Sequence, residues 1–372
     1  MKQIEKINDS PVSRRSFLKG GSSLLGAAAL LPAAGLIAGA NSAHAQDTGG
    51  PAITAGDINI LRFLAALEII DDDIFSQYTE VSTSTITTAN TTIVNNNNRF
   101  NQALRLIDPA LPQYVAETRR DERSHANFIN AFLGSIGEFP ANLDAFRTLP
   151  SVTASGAGTR RRLTNLRHVT VDTSFFLRYR RDINPDFGDT APQIATIVNT
   201  PTIPPTNGVG DVEIFNIAQS AAFHFAFLEQ ADASLYSALL SKVTNLDALA
   251  ILASIGPTEF YRFAVFQTSL ENIVTFPGGT MVTALGGTQT RRFPNLKNNP
   301  ALAQSVMPAP CKFLRGDLPI CSVLRPRSIE LAGAVASFNA LVQSGIFTGQ
   351  SNQFFTTMTD LAAAADAAQR GI

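Results

Sequence analysis

Two segments of the chain repeat one acidic pattern. Glu68 and Glu229 each follow a leucine, with an acid three residues further on and an aromatic residue seven further on. These partners are Asp71 and Phe75 for Glu68, and Asp232 and Tyr236 for Glu229. Residues at i, i+3 and i+7 share one face of an α-helix, because each residue turns the chain by about 100°. Both glutamates therefore lie in an apolar stripe, where a lone carboxylate is costly to bury.

Two further segments carry acids at a second spacing. Glu122 and His125 form Glu-x-x-His, and Glu259 and Arg262 occupy the same spacing in a later segment. Several carboxylates can hold and bridge two hard or borderline cations. Inside four-helix bundles, such a centre takes one Glu from each of two helices and Glu-x-x-His from each of the other two. Five of these six positions are filled here by candidate metal ligands: Glu68, Glu122, His125, Glu229 and Glu259.

Arg262 stands where the sixth ligand, a histidine, is expected. A guanidinium stays protonated and has no free lone pair for a metal. It can instead pair with Glu259 or Glu229 and neutralise the cluster. We therefore expect Arg262, Tyr236, Asp232 and Asp71 around the ligands rather than among them. Two alternatives stay open: iron or manganese, as one ion or as an equal or unequal pair, or a degenerate site with no cofactor.

The acidic helices resemble those of the ferritin-like family of exported bacterial proteins related to the desiccation-related proteins, from about Ile53 to Phe276. The resemblance implies a bundle of ferritin type with iron or manganese. One function compatible with it is a di-metal protein that handles these metals or reacts with oxygen or peroxide. The other is a non-enzymatic periplasmic stress or binding protein whose scaffold has lost its metal site.

Four long apolar segments must position these residues. We predict helices over Ile58–Tyr78, Leu111–Leu133, Asp211–Ser241 and Leu246–Val274, the last interrupted at Gly256-Pro257. A proline-rich crossover, Gly137 to Gly210, separates the second helix from the third, and two further helices are predicted at Ser328–Leu341 and Asn352–Ala368. Thr79–Asn98 is predicted to be a solvated loop. The layout predicts an all-α, ferritin-like four-helix bundle with a long crossover between helices two and three and additional C-terminal helices.

The first 45 residues predict a twin-arginine signal peptide. Arg14 and Arg15 precede Phe-Leu-Lys, then an apolar stretch over Gly20–Ala40 and an Ala-His-Ala site ending at Ala45. Pro32 and the many small residues favour cleavage over a membrane anchor. We expect the twin-arginine translocase as partner, a periplasmic or otherwise exported protein, and no permanent membrane anchor.

The rest of the chain divides into a bundle over 46–276, a Pro/Gly-rich loop over 277–327 and helices over 328–372. Cys311 and Cys321, the two cysteines of the chain, most simply form a disulfide in an oxidising compartment. The net charge of −1 gives no footprint for nucleic acid. A basic cluster around His168 is interpreted as a solvated face rather than an anion site, and His224 as a packing or surface residue. The oligomeric state stays open, a homo-oligomer included.

Overall fold

Most of the chain after Gly50 is described by the computed structural model. It covers residues 50–82, 85–88, 91–94, 98–172, 196–271, 273, 281–283, 290–292, 309–311, 317–323 and 333–371. These elements belong to one compact unit, Pro51–Ile372. The predicted signal peptide and much of the predicted loop 277–327 lie outside the described residues.

Four long helices carry the core. They are α1 (Ala55–Ser82), α3 (Leu111–Ser135), α4 (Asp211–Leu240) and α5 (Leu246–Leu270), with a short helix α2 (Asn98–Ile107) between the first two. α1 packs along α3 and α4 packs along α5. Apolar side chains of all four long helices join one buried cluster. The prediction of a mostly helical chain is confirmed, whereas α2 was not predicted.

Asp57 connects the start of α1 to the turn between α4 and α5 through hydrogen bonds. Thr54 and Asp57 cap the start of α1 reciprocally, with the Asp57 amide 3.1 Å from Thr54 Oγ1 and the Thr54 amide 2.9 Å from Asp57 Oδ2. Asp57 Oδ1 also accepts the amide of Thr244 at 2.8 Å, in the turn between α4 and α5. Asn245 then caps α5 by accepting the amide of Asp247 at 2.9 Å. One buried carboxylate thus fixes α1 against the α4–α5 turn.

The predicted interruption at Gly256-Pro257 is wrong, because α5 continues through both residues. Proline inside a helix costs about 3 kcal/mol, and packing against α4 outweighs that cost. The Thr258 hydroxyl donates to the Ile255 carbonyl at 2.7 Å. A Cβ atom at Gly256 would lie 2.9 Å from the Tyr236 Cβ, so glycine permits the close approach of the two helices. Glu259 and Arg262 consequently belong to the same continuous helix as Leu252 and Ile255.

Strands are confined to four two-stranded antiparallel sheets within the described residues. They are β1 (Thr85–Thr88) with β2 (Thr91–Val94), β3 (Val169–Asp172) with β4 (Thr196–Thr200), β5 (Met281–Thr283) with β6 (Thr290–Arg292), and β7 (Ala309–Cys311) with β8 (Cys321–Val323). The loop predicted over Thr79–Asn98 is therefore wrong in part. It contains the end of α1 and the β1–β2 hairpin, whose Thr, Ile and Val residues favour strands.

Two helices near the C-terminus pack on the long helices. α6 spans Ala334–Gln343 and α7 spans Asn352–Asp366. α7 lies against α1, and α6 lies against α7 and α4. By length and composition α5 is the one described helix that could cross a membrane, but it packs along α4 as a core helix.

The two cysteines occupy opposite positions in the β7–β8 strand pair. Cys311 is the register partner of Cys321. Residues directly opposite each other in an antiparallel pair have Cα atoms about 4.5–5.5 Å apart, which a disulfide can span. The side chain of Cys311 lies outside the described part of the structure, so the disulfide stays a prediction.

Candidate metal centre

Charged side chains from all four long helices meet in the interior. α1 contributes Glu68, α3 contributes Glu122 and His125, α4 contributes Glu229, and α5 contributes Glu259 and Arg262. Each of the six residues is 9% exposed or less. Both Glu-x-x-His/Arg pairs lie on single helix faces, because residues three apart are neighbours on a helix.

Glu68, Glu122, His125 and Glu259 form a buried group that can hold a metal ion. One ligand atom of each lies within 4.8 Å of all the others. His125 Nδ1 lies 3.3 Å from Glu68 Oε2, 3.6 Å from Glu122 Oε2 and 3.4 Å from Glu259 Oε1. A tetrahedral ion with bonds of about 2.1 Å separates its ligands by about 3.4 Å.

The same separations fit ion pairs less well. A charge-assisted hydrogen bond from an imidazolium to a carboxylate is about 2.7–2.9 Å long. All three contacts of His125 Nδ1 are longer, and one nitrogen has at most one proton for three oxygens. These distances are therefore compatible with a cation shared by the four residues, whose ligand atoms all lie within 4.8 Å of one another.

Arg262 occupies the opposite side of the cluster. Its Nε lies 2.7 Å from Glu229 Oε2, and its Nη2 pairs with Glu122 Oε1 at 2.6 Å and with Glu259 Oε2. Glu122 and Glu259 consequently present one oxygen to His125 and the other to Arg262. These two carboxylates bridge the metal-binding group and the guanidinium.

Tyr236 holds the remaining oxygen of Glu68. Its hydroxyl donates to Glu68 Oε1, whereas Glu68 Oε2 faces His125. The close approach of α5 at Gly256 packs against the base of the Tyr236 side chain. Both oxygens of Glu68 are thus oriented by named contacts.

The cluster carries more negative than positive charge. Burial raises the pKa of Glu122 to about 7, with the charge of Glu68 adding to the effect and Arg262 opposing it. Burial likewise raises the pKa of Glu229 to about 8 in spite of its contact with Arg262. Burial alone would lower the pKa of His125, but its contacts with the Glu122 and Glu68 carboxylates raise it to about 10. Without a bound cation the group retains protons, which a metal would displace.

Glu68 is the exception among the glutamates. Its burial favours the neutral form, but the hydrogen bond and charge of His125, with contacts to Glu122 and Tyr236, lower its pKa overall. It is therefore the carboxylate that stays ionised most readily in this cluster.

Asp71 and Asp232 add two further acids beside the group. Asp71 is buried, and its Oδ1 has no hydrogen-bond partner among the described residues. Burial raises its pKa well above the usual range, and the charge of Asp232 raises it further. The half-buried Asp232 is affected in the same direction, first by burial and then by Glu122. Both acids favour their neutral forms in this anionic surrounding.

The structure brings together four of the five predicted ligands, and the fifth, Glu229, lies on Arg262. His224 lies apart from the group and is a packing residue. It is buried, with Nδ1 2.8 Å from the Tyr78 hydroxyl. Sequence reasoning missed the hydroxyl of Thr258, 3.4 Å from Glu259 Oε1, for which no sequence signal existed.

A comparison of the chain with protein-family models, curated proteins and solved structures finds no match. The resemblance to ferritin-like proteins therefore stays a prediction, and the site is interpreted from its own geometry.

Proposed function

We propose that the chain is an exported metalloprotein of ferritin-like type that binds one iron or manganese ion through Glu68, Glu122, His125 and Glu259. The observation that carries the proposal is the position of His125 Nδ1, 3.3–3.6 Å from three carboxylate oxygens. Three carboxylates and one imidazole form a mostly hard donor set, which suits manganese and iron better than softer metals.

Arg262 supports one ion rather than two. Its guanidinium pairs with Glu229 and with the oxygens of Glu122 and Glu259 that do not face His125. It therefore occupies the place where a second cation would bind. With all four glutamates ionised, Arg262 and a protonated His125 would leave two negative charges, which is why the metal-free group retains protons. One divalent ion with a neutral His125 leaves a single negative charge, which is easier to bury.

The ferritin-like part of the proposal is supported by the order of the helices. α1 pairs with α3 and α4 with α5, and the connection between α3 and α4 is long. Facing helices of such bundles supply inward carboxylates to a metal centre. Export through the twin-arginine route is carried by the sequence of residues 1–45 alone.

Iron or manganese in this position would supply a redox couple able to react with oxygen or peroxide. Tyr236 donates its hydroxyl hydrogen to Glu68, and burial with the charge of Glu68 raises its pKa well above the usual value. The phenol therefore keeps its proton next to the ligand set. The His125 side chain is 11% exposed, against 5% or less for the other three ligands, so small reactants approach from its side.

A second candidate is a non-enzymatic exported stress or binding protein with a degenerate site. Its supporting observation is the contact of Arg262 with three carboxylates, which supplies part of the charge that a metal would bring. In that case the chain keeps the scaffold and holds no cofactor.

Metal analysis separates the two candidates. The wild-type chain, folded with iron or manganese present, is compared with Glu122→Gln and with Glu117→Gln, a half-buried control on the same helix whose side chain is 44% exposed. The proposal predicts about one ion per chain in the wild type and the control and a loss in Glu122→Gln. A folded wild type that binds no metal would reject the proposal and favour the degenerate site.

A further inference from the structure

A surface cavity of about 410 Å³ lies between α1, α3 and the connection that follows α3. Five arginines line it: Arg123, Arg147, Arg160, Arg161 and Arg162. The two carboxylates in the lining are Asp72 and Asp73. The lining residues come from three separate parts of the chain. In the sequence, only the run Arg160–Arg162 is recognisable as a basic cluster.

Two of these arginines are held in place by buried or half-buried acids. Arg147 Nη1 lies 2.7 Å from Asp73 Oδ1, and the other oxygen of Asp73 accepts the Leu163 amide at 3.0 Å. The side chain of Arg162 is 2% exposed and pairs with Glu80. These guanidinium groups are therefore fixed before any ligand binds.

Arg123 is oriented by the remaining carboxylate of the lining. Its Nη2 lies 3.1 Å from Asp72 Oδ1 and 3.2 Å from Asp72 Oδ2. Both lining aspartates are thus engaged with arginines, which reduces their repulsion of an anion in the cavity.

Arg160 and Arg161 differ from the other three. Both are exposed, and neither forms an ion pair with a described residue. Arg161 Nη1 donates to the Thr148 carbonyl at 3.2 Å, and the Ser151 hydroxyl donates to the Arg160 carbonyl at 3.0 Å. The backbone of Arg160 and the guanidinium of Arg161 are thus each held by one neutral hydrogen-bond partner, and no carboxylate of the described residues pairs with either positive charge.

We propose that this cavity binds the phosphate group of a small phosphomonoester or free phosphate. The planar guanidinium fork matches phosphate oxygens with two parallel hydrogen bonds. A volume of about 410 Å³ falls within the usual range of small-molecule sites. The cavity shares no ligand with the metal-binding group, so the inference does not depend on the proposed function.

Calorimetric titration tests the inference with two probes, inorganic phosphate and glycerol 3-phosphate, at constant ionic strength. The test variant is Arg160→Ser/Arg161→Ser, and the control is Arg105→Ser/Arg370→Ser, two exposed arginines outside the lining with the same change in charge. The wild type and the control should bind one ligand saturably. The test variant should lose about tenfold in affinity for each arginine removed.

Unchanged circular dichroism and an unchanged thermal denaturation midpoint would show that the test variant is folded. Tighter binding of glycerol 3-phosphate assigns the site to organic phosphates, and equal binding assigns it to the phosphate group alone; either outcome supports the inference. No saturable binding by the wild type, undiminished affinity in the test variant, or an equal loss in the control would overturn it.

Discussion

Replacing Arg262 by histidine exchanges the guanidinium that contacts three glutamates for an imidazole, the sixth ligand expected from the Glu-x-x-His pattern of two-metal sites. Removing one partner of a buried ion pair typically costs about 3–5 kcal/mol. The pKa of Glu229 is already about 8. Loss of Arg262 removes a contact that lowers this pKa, so Glu229 stays protonated and neutral near pH 7, which places the expected loss near the lower end, at about 3 kcal/mol for metal-free protein.

Metal should reverse that loss. Each ion at a free concentration one hundred times its dissociation constant adds about 2.7 kcal/mol to the free energy of unfolding. We expect Arg262→His to bind about two manganese ions per chain instead of one, because the ligand set gains a donor and loses a positive charge. Urea denaturation with and without manganese, combined with metal analysis, measures both effects.

The matched control is Arg120→His, which changes an exposed arginine on α3. It should alter neither stability nor metal content appreciably, because exposed ion pairs contribute little. Metal-free Arg262→His that is as stable as the wild type, or a stoichiometry that does not rise, would refute this reasoning.

Three further predictions follow from individual contacts. Tyr236→Phe removes the hydrogen bond to Glu68, so peroxide consumption by the iron-loaded protein should slow while metal content stays constant; an unchanged rate would exclude a role for the phenol. Burial lowers the pKa of His224 to about 3, so the unfolded state binds a proton that the folded state does not bind as pH falls through about 6.5. The contribution of neutral His224 to the free energy of unfolding should be fully present above about pH 6.5. It should fall by up to about 4 kcal/mol towards pH 3. His224→Asn should remove this part of the dependence in urea titrations at several pH values; an identical dependence in the variant would contradict the assignment. Gly256→Ala places a Cβ atom 2.9 Å from the Tyr236 Cβ and should cost about 1–3 kcal/mol, whereas Gly134→Ala, which meets no atom within 4 Å, should be neutral or stabilising in thermal denaturation.

The helices and the inward direction of the acids were predictable from local rules. The spacing of Glu68 and Asp71, or of Glu122 and His125, determines a shared helix face because helical geometry is nearly constant. The partner of each acid was not predictable. Whether Glu229 faces His125 or Arg262 depends on distances between helices and on side-chain rotamers, which sequence spacing does not contain.

Elsewhere tertiary packing overrode local preference. Pro257 is a helix breaker by local rules, yet α5 continues because Gly256 lets it pack closely on α4. The arginine-lined cavity was hidden for a different reason. Arg123 and Arg147 approach the run Arg160–Arg162 only in the folded chain, so the run alone was consistent with a solvated face.

Anomalous X-ray diffraction tests the central claim most directly. A crystal grown with manganese(II) and measured on both sides of the manganese absorption edge gives the number and position of bound ions. We predict one peak per chain, about 2.0–2.3 Å from His125 Nδ1 and from oxygens of Glu68, Glu122 and Glu259, with Arg262 still paired to Glu229. No peak among these four residues at saturating manganese, or two peaks of equal height, would contradict the single-ion site.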